Sequence, residues 1–283
     1  MFDKNETDVI DKIVGWGENN SNIRLVILTS SRVAQINCTD LLSDYDIEIY
    51  AENLVMFNND NWLNYFGKVL IKWPLTPGKA GFSKNHITRL VVFDNFPRID
   101  FQIANLSDFN PSSYDNGYKI LVDKHNIKPI VPPPTYNEFT ITKPAENEFI
   151  KTVNGFYWDI PYISKSLKRG EYYFAKYMLD SAIRYGSFEL MLNWYIGLQN
   201  NWQVSVGNHG RSYEKLLEQK DLKLLNQTYA SVNKQDIQKS MNNMASLFDH
   251  MCERIAYDLN YSLSEVNRKG VIEYCNKISN IEL

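Results

Sequence analysis

Cysteine is scarce. The chain of 283 residues has three, Cys38, Cys252 and Cys275, with no C-x-x-C spacing. Neither a zinc site nor a disulfide framework follows from them. Long apolar runs are missing as well, and none approaches the roughly 18 residues that a membrane span needs. The first residues, MFDKNETDVIDKIVGW, are amphipathic and acidic, which is not the texture of a signal peptide. A reducing cytoplasm is therefore the expected location. Basic residues are not in excess either: 30 Lys and Arg stand against 33 Asp and Glu, for a net charge of −3. Without a basic stripe, no nucleic-acid partner is expected. Neither G-x-G-x-x-G nor G-x-x-x-x-G-K-[ST] occurs, so the dinucleotide and P-loop readings fail. The four histidines, His86, His125, His209 and His250, have no ligand spacing.

What is present is an ordinary globular balance, 44% hydrophobic and 22% charged. Val9, Ile10, Ile13 and Val14 recur at helical spacing. IRLVILTSS (23–31) reads as a buried strand running into a turn. The alternation in 46–50 reads as a half-buried strand. Segments 68–73, 87–93 and 98–103 read as further strands, 61–66 as a short helix, and 118–122 as a strand or a helical turn. The texture changes at KPIVPPPTYN (128–137), where four prolines forbid both helix and central strand. That stretch reads as a connector. Helices are expected over about 144–168, 171–198, 211–218, 234–260 and 263–279. The sum is an α+β chain, a mixed sheet followed by an all-helical half, without the βαβ rhythm of a Rossmann domain.

The chemistry-bearing pattern is S-S-R (30–32), then D-Y-D (44–46), then R-I-D (98–100). Residues two apart on a strand share a face, so Asp44 and Asp46 are expected to project together. Paired carboxylates raise each other's pKa unless a cation is near. Mg²⁺ suits such oxygen ligands, binding through a few carboxylates plus substrate phosphates. Asp100 sits mid-strand among apolar neighbours, where an unpartnered carboxylate is costly. If its strand lies beside the D-Y-D strand, three carboxylates converge, and phosphoryl or nucleotidyl transfer becomes feasible. Taken singly, D-x-D is more often a solvated face, and Ser31 reads as a helix N-cap or as a phosphate contact. The acidic residues Asp159, Asp180 and Glu189 would face a polycationic substrate or simply line solvated helix faces.

Order and spacing together resemble the polymerase-β-like nucleotidyltransferases. Within that superfamily the chain is most similar to the aminoglycoside 6-adenylyltransferase (streptomycin adenylyltransferase) family. IRLVILTSSR, SDYDIEIY, NDNWLNYFG (59–67) and RIDFQIA (98–104) carry the likeness in the first half. YISKSLKRGEYYFAKYML (162–179) and SVGNHGRSYEKLL (205–217) carry it in the second. The resemblance implies a nucleotidyltransferase catalytic domain over 1–135 and a helical acceptor-binding domain over 136–283. It implies Mg²⁺-dependent transfer of AMP from ATP to a hydroxyl of a streptomycin-like aminoglycoside, with release of pyrophosphate. Asp44 and Asp46 would hold the metal, and Asp100 would complete that site or act as base. Ser30, Ser31 and Arg32 would touch the triphosphate, as would Lys165 and Arg211. Two departures stand out. Ser30 replaces the glycine of the family's G-S, and Gly155 replaces a glutamate. They leave open another acceptor, or a non-catalytic nucleotide-binding role.

Overall fold

The computed structural model describes residues 6–34, 39–77, 86–94, 98–136, 140–263 and 266–282. Cys38 lies outside them. The chain divides into two compact units, Met1–Glu138 and Phe139–Leu283.

The first unit is built on a six-stranded mixed sheet, in the order β3-β4-β5-β2-β1-β6. The strands are β1 (Ile23–Thr29), β2 (Tyr45–Ala51), β3 (Val69–Trp73), β4 (Ile87–Phe93), β5 (Ile99–Asn105) and β6 (Lys119–Asp123). Segment 118–122, open between strand and turn in the sequence, is thus a strand. Among the described residues only β2 and β5 pair in parallel; the other pairings there are antiparallel. Both central strands alternate over their first five residues. Tyr45, Ile47, Ile49, Ile99, Phe101 and Ile103 are buried on one face, while Asp46, Glu48, Asp100 and Gln102 are half-buried on the other. The apolar face packs with helix α1 (Glu6–Asn19), whose Val9, Ile13 and Trp16 fall on one side at spacings of four and three. Lys124 Nζ donates to the carbonyls of Gly17, Glu18 and Asn20, satisfying the orphan acceptors at the end of α1.

NDNWLNYFG forms a 3₁₀ turn, Asn61–Tyr65, which plugs this core. The Trp62 ring lies against Trp16, Phe57, Phe66 and Phe101. Asp60 pairs with the fully buried Arg89 at 2.7 Å and with Lys72 at 2.5 Å. Part of the proline-rich stretch is tied to the sheet unit. Tyr136 N donates to Asp115 O at 2.8 Å, and Thr135 N donates to Asp115 Oδ1 at 2.7 Å, so its end is fastened to the sheet unit.

The second unit is helical: α2 (Glu146–Arg169), α3 (Tyr172–Tyr177), α4 (Glu189–Gln199), α5 (Tyr213–Leu216), α6 (Gln219–Asn226), α7 (Lys234–Leu259) and α8 (Arg268–Asn280). Between α3 and α4 the chain is π-helical over Met178–Phe188 and breaks at Gly186 (φ −93, ψ −108). Gly170 (φ +77) ends α2 in a left-handed cap, and the side chain of Asn233 caps α7. Phe156 stacks on Phe248 at 3.7 Å between ring centres, joining α2 to α7. Cys252 and Cys275 are free thiols buried in this core. Among the described residues no helix is long and apolar enough to cross a membrane.

Candidate active site

The polar face of β2 and β5 carries the site. In the parallel register Asp46 lies directly across from Asp100. Asp44 stands one residue before β2 rather than on it, with its side chain 40% exposed. Burial pushes the Asp46 carboxyl up to about 6, and the Asp100 carboxylate adds to the rise; a hydrogen bond from Ser30 and the charge of Arg98 oppose it. Burial also raises Asp100, against the hydrogen bonds from Arg98.

Arg98 is the central cation. Its Nε and Nη2 donate to the two Asp100 oxygens, each at 2.7 Å, and its Nη1 lies 3.6 Å from Asp44 Oδ2. Among the described residues no three His, Cys, Asp or Glu side chains come together as an ion-holding group. In this arrangement the guanidinium stands among the carboxylates. The sequence held the signal: R-I-D puts Arg98 two residues from Asp100, hence on the same face. Glu48 was also passed over. It continues that face and accepts hydrogen bonds from Tyr50 (2.9 Å) and Tyr114 (2.6 Å).

S-S-R forms a single 3₁₀ turn, Ser30–Val33, with no side-chain cap. Ser30 has φ +65, the left-handed region that favours glycine. Its hydroxyl reaches Asp46. Arg32 acts as a brace. Its Nη2 donates to Ser43 O at 2.6 Å and its Nε to Asp44 O at 3.0 Å, and its guanidinium lies 3.7 Å above the Tyr45 ring. Arg32 therefore fixes the backbone that presents Asp44. Ser31 is half-buried in the same turn.

Lys165 and Arg211 belong to the helical unit. Lys165 lies near the rings of Tyr162 (5.7 Å) and Tyr274 (5.9 Å), and Arg211 is exposed. Of the acidic candidates, Asp180 pairs with Lys176, and burial raises the Asp159 carboxyl. Glu189 lines a cavity of about 210 Å³ together with Arg184, Tyr185, His209, Tyr213 and Tyr229. Its Oε1 lies 3.5 Å from His209 Nδ1. The Arg184 guanidinium lies 3.8 Å over the Tyr229 ring. Gly155, at the position of the missing glutamate, leaves a site where a Cβ would meet Ser187 Oγ at 3.3 Å.

Comparison with known proteins follows the same lines. An aminoglycoside 6-adenylyltransferase of Bacillus subtilis (strain 168) is 25% identical over 283 residues, 97% of this chain and 98% of that protein. One from Staphylococcus aureus is 26% identical over 267 residues, covering 92% and 93%. A crystal structure of an aminoglycoside 6-adenyltransferase from Bacillus subtilis aligns with a TM-score of 0.49 at 23% identity, covering 97% of this chain and 98% of that one. The family model for streptomycin adenylyltransferase matches residues 3–278. With nearly its whole length matched, the chain belongs to the streptomycin adenylyltransferase family and is a nucleotidyltransferase.

Proposed function

We propose that this enzyme transfers AMP from ATP to a hydroxyl of a streptomycin-like aminoglycoside, releasing pyrophosphate, with Mg²⁺ as cofactor. The observation that carries the reading is the placement of Asp46 directly opposite Asp100 on the polar face of β2 and β5, with Asp44 one residue before β2 and facing Arg98. This donor set fits a hard divalent ion. It offers carboxylate oxygens without thiol or imidazole, and the Asp100 charge adds to the burial that raises the Asp46 carboxyl. Asp44, Asp46 and Asp100 would hold the ion, which when bound offsets phosphate charge and the charge developing on the leaving pyrophosphate.

In the other role open to it, Asp100 leaves the ion to Asp44 and Asp46 and takes up the proton of the acceptor hydroxyl as base. As the acceptor oxygen bonds to the α-phosphorus, the α–β phosphoanhydride bond breaks and its electron pair leaves on pyrophosphate. Ser30 and Ser31 lie on the turn beside the carboxylates, within the chain's reach of a triphosphate. Arg32 holds the backbone of Ser43 and Asp44 through their carbonyls. The Glu189 cavity also holds three tyrosines, with the Arg184 guanidinium over one of them, and Glu189 is the group there that would receive a cationic amino sugar ring.

The test is pyrophosphate release with Mg-ATP and streptomycin, beside a panel of other aminoglycosides. Wild type is expected to release pyrophosphate only with an acceptor, and Asp100→Asn to lose at least about a hundredfold, the scale of general-base removal. Mg-ATP binding without turnover on any aminoglycoside would reject this acceptor class. It would point instead to a different acceptor, the reading that Gly155 favours.

A further inference from the structure

Arg98 has no part in the mechanism above, yet it makes the strongest contacts in the site. We propose that Arg98 is a built-in counter-cation that the divalent ion displaces and that then pairs with the nucleotide's phosphates, so that ion and nucleotide enter together. The proposal rests on the metal reading of Asp44, Asp46 and Asp100.

Three observations support it. The first is occupancy. A bidentate guanidinium on Asp100 uses both oxygens that an ion or a proton acceptor would need, and its third nitrogen reaches toward Asp44. The second is charge. One arginine faces three carboxylates, so it offsets their repulsion only in part, whereas a divalent ion would match the cluster better. The third is freedom to move. Tyr45 N donates to Arg98 O at 3.0 Å, which fixes the backbone to β2. The side chain is nonetheless 41% exposed, against 13% for Asp100, so the guanidinium can turn toward solvent while the strand stays put. An arginine released beside a triphosphate finds bidentate phosphate partners that replace the lost carboxylate. A free protein held in this way binds the ion weakly, because the ion must first break the Arg98 bridge. A nucleotide lowers that cost by taking up the arginine.

The experiment uses the full chain, Mn²⁺ as the probe and an ATP analogue with a methylene group between the α- and β-phosphates. Free Mn²⁺ is read by electron paramagnetic resonance, and binding of the analogue by calorimetry. Thermal melts confirm that each variant is folded. For Arg98→Gln, Mn²⁺ affinity without nucleotide is expected to rise about tenfold, and affinity for the analogue in the presence of Mn²⁺ to fall about tenfold. Arg98→Lys keeps the charge without the fork and should lie between wild type and Arg98→Gln in both readouts. Unchanged or weaker Mn²⁺ binding by Arg98→Gln would overturn the displacement. Tighter Mn²⁺ binding with unchanged affinity for the analogue would overturn the transfer to phosphate. If neither wild type nor variant binds Mn²⁺ with the analogue present, the metal reading itself fails and the proposal falls with it.

Discussion

Asp46 sits where burial and a neighbouring carboxylate both disfavour its charge. Its pKa is about 6 in the fold, against 3.8 unperturbed. Between those values the folded chain holds more protons than the unfolded one, so stability falls as pH rises through the window. The cost is absent below 3.8 and complete above about 6. Asp46→Asn removes it. In metal-free protein at pH 7.5 this variant should be more stable by roughly 1–3 kcal/mol, with the advantage vanishing near pH 4. Its catalytic activity should be lost. Thermal melts at the two pH values check this, and an advantage that persists unchanged at pH 4 would contradict the assigned cause. The carboxylates themselves were legible, because the period of two on a strand is a firm rule that Asp46 and Asp100 obey, with Asp44 one residue before β2. Arg98 obeys the same rule but drew no notice, since opposite charges two apart are unremarkable until a parallel neighbour strand brings Asp44 and Asp46 alongside. The conformation of Ser30 was not legible. A serine in place of glycine is visible in the sequence, but φ +65 and the hydroxyl's reach to Asp46 are not.

At the scale of elements, what holds the Ser30–Val33 turn is a glycine far away in sequence. Gly117 has φ +100, and a Cβ there would meet Val33 O at 2.3 Å and the Tyr136 ring at 2.9 Å. Backbone cannot yield as a flexible side chain does. Gly117→Ala should therefore cost roughly 2–4 kcal/mol, joining left-handed strain to a steric clash. The clash falls on the turn that leads into the site, so nucleotide affinity should weaken too. Urea unfolding together with nucleotide titration checks both, and a loss under about 0.5 kcal/mol, the range of an ordinary surface change, would refute the close approach. The strands were readable because each is a short apolar or alternating run bounded by turns. Helix α6 was not. Its eight residues bury only Asp221 and Leu225, too few positions to reveal a helical period. The long helix expected over 171–198 is real in extent but carries a π-helical stretch broken at Gly186, and no local pattern in MLDSAIRYGSF announces that register.

At the scale of the whole molecule, the shift in texture at the prolines marked two different kinds of core. The sheet unit holds two clusters, one on each face of its strands. The helical cluster is self-contained, since every one of its buried members lies between Phe149 and Cys275. Its joints are internal as well. Tyr157 donates to Asp249 at 2.7 Å, Arg268 pairs with that same aspartate, and Tyr261 donates to Pro144 O at 2.7 Å. A chain of this length buries enough apolar surface to fold alone, roughly two thirds of what its unfolded form exposes. The segment 139–283, expressed by itself, is therefore expected to show strong helical circular dichroism and one cooperative urea transition. A broad, non-cooperative loss of signal would mean that the helical core does not fold by itself, although its buried members all lie within the segment. Cooperative unfolding would show that the proline-rich stretch, tied to the sheet unit through Tyr136, separates two independently folding parts. The fragment could then be titrated with streptomycin in isolation, as a test of the acceptor role proposed for it. Binding weakened by Glu189→Gln in that fragment would locate the cationic ring in the Glu189 cavity, and an unaffected titration would exclude it.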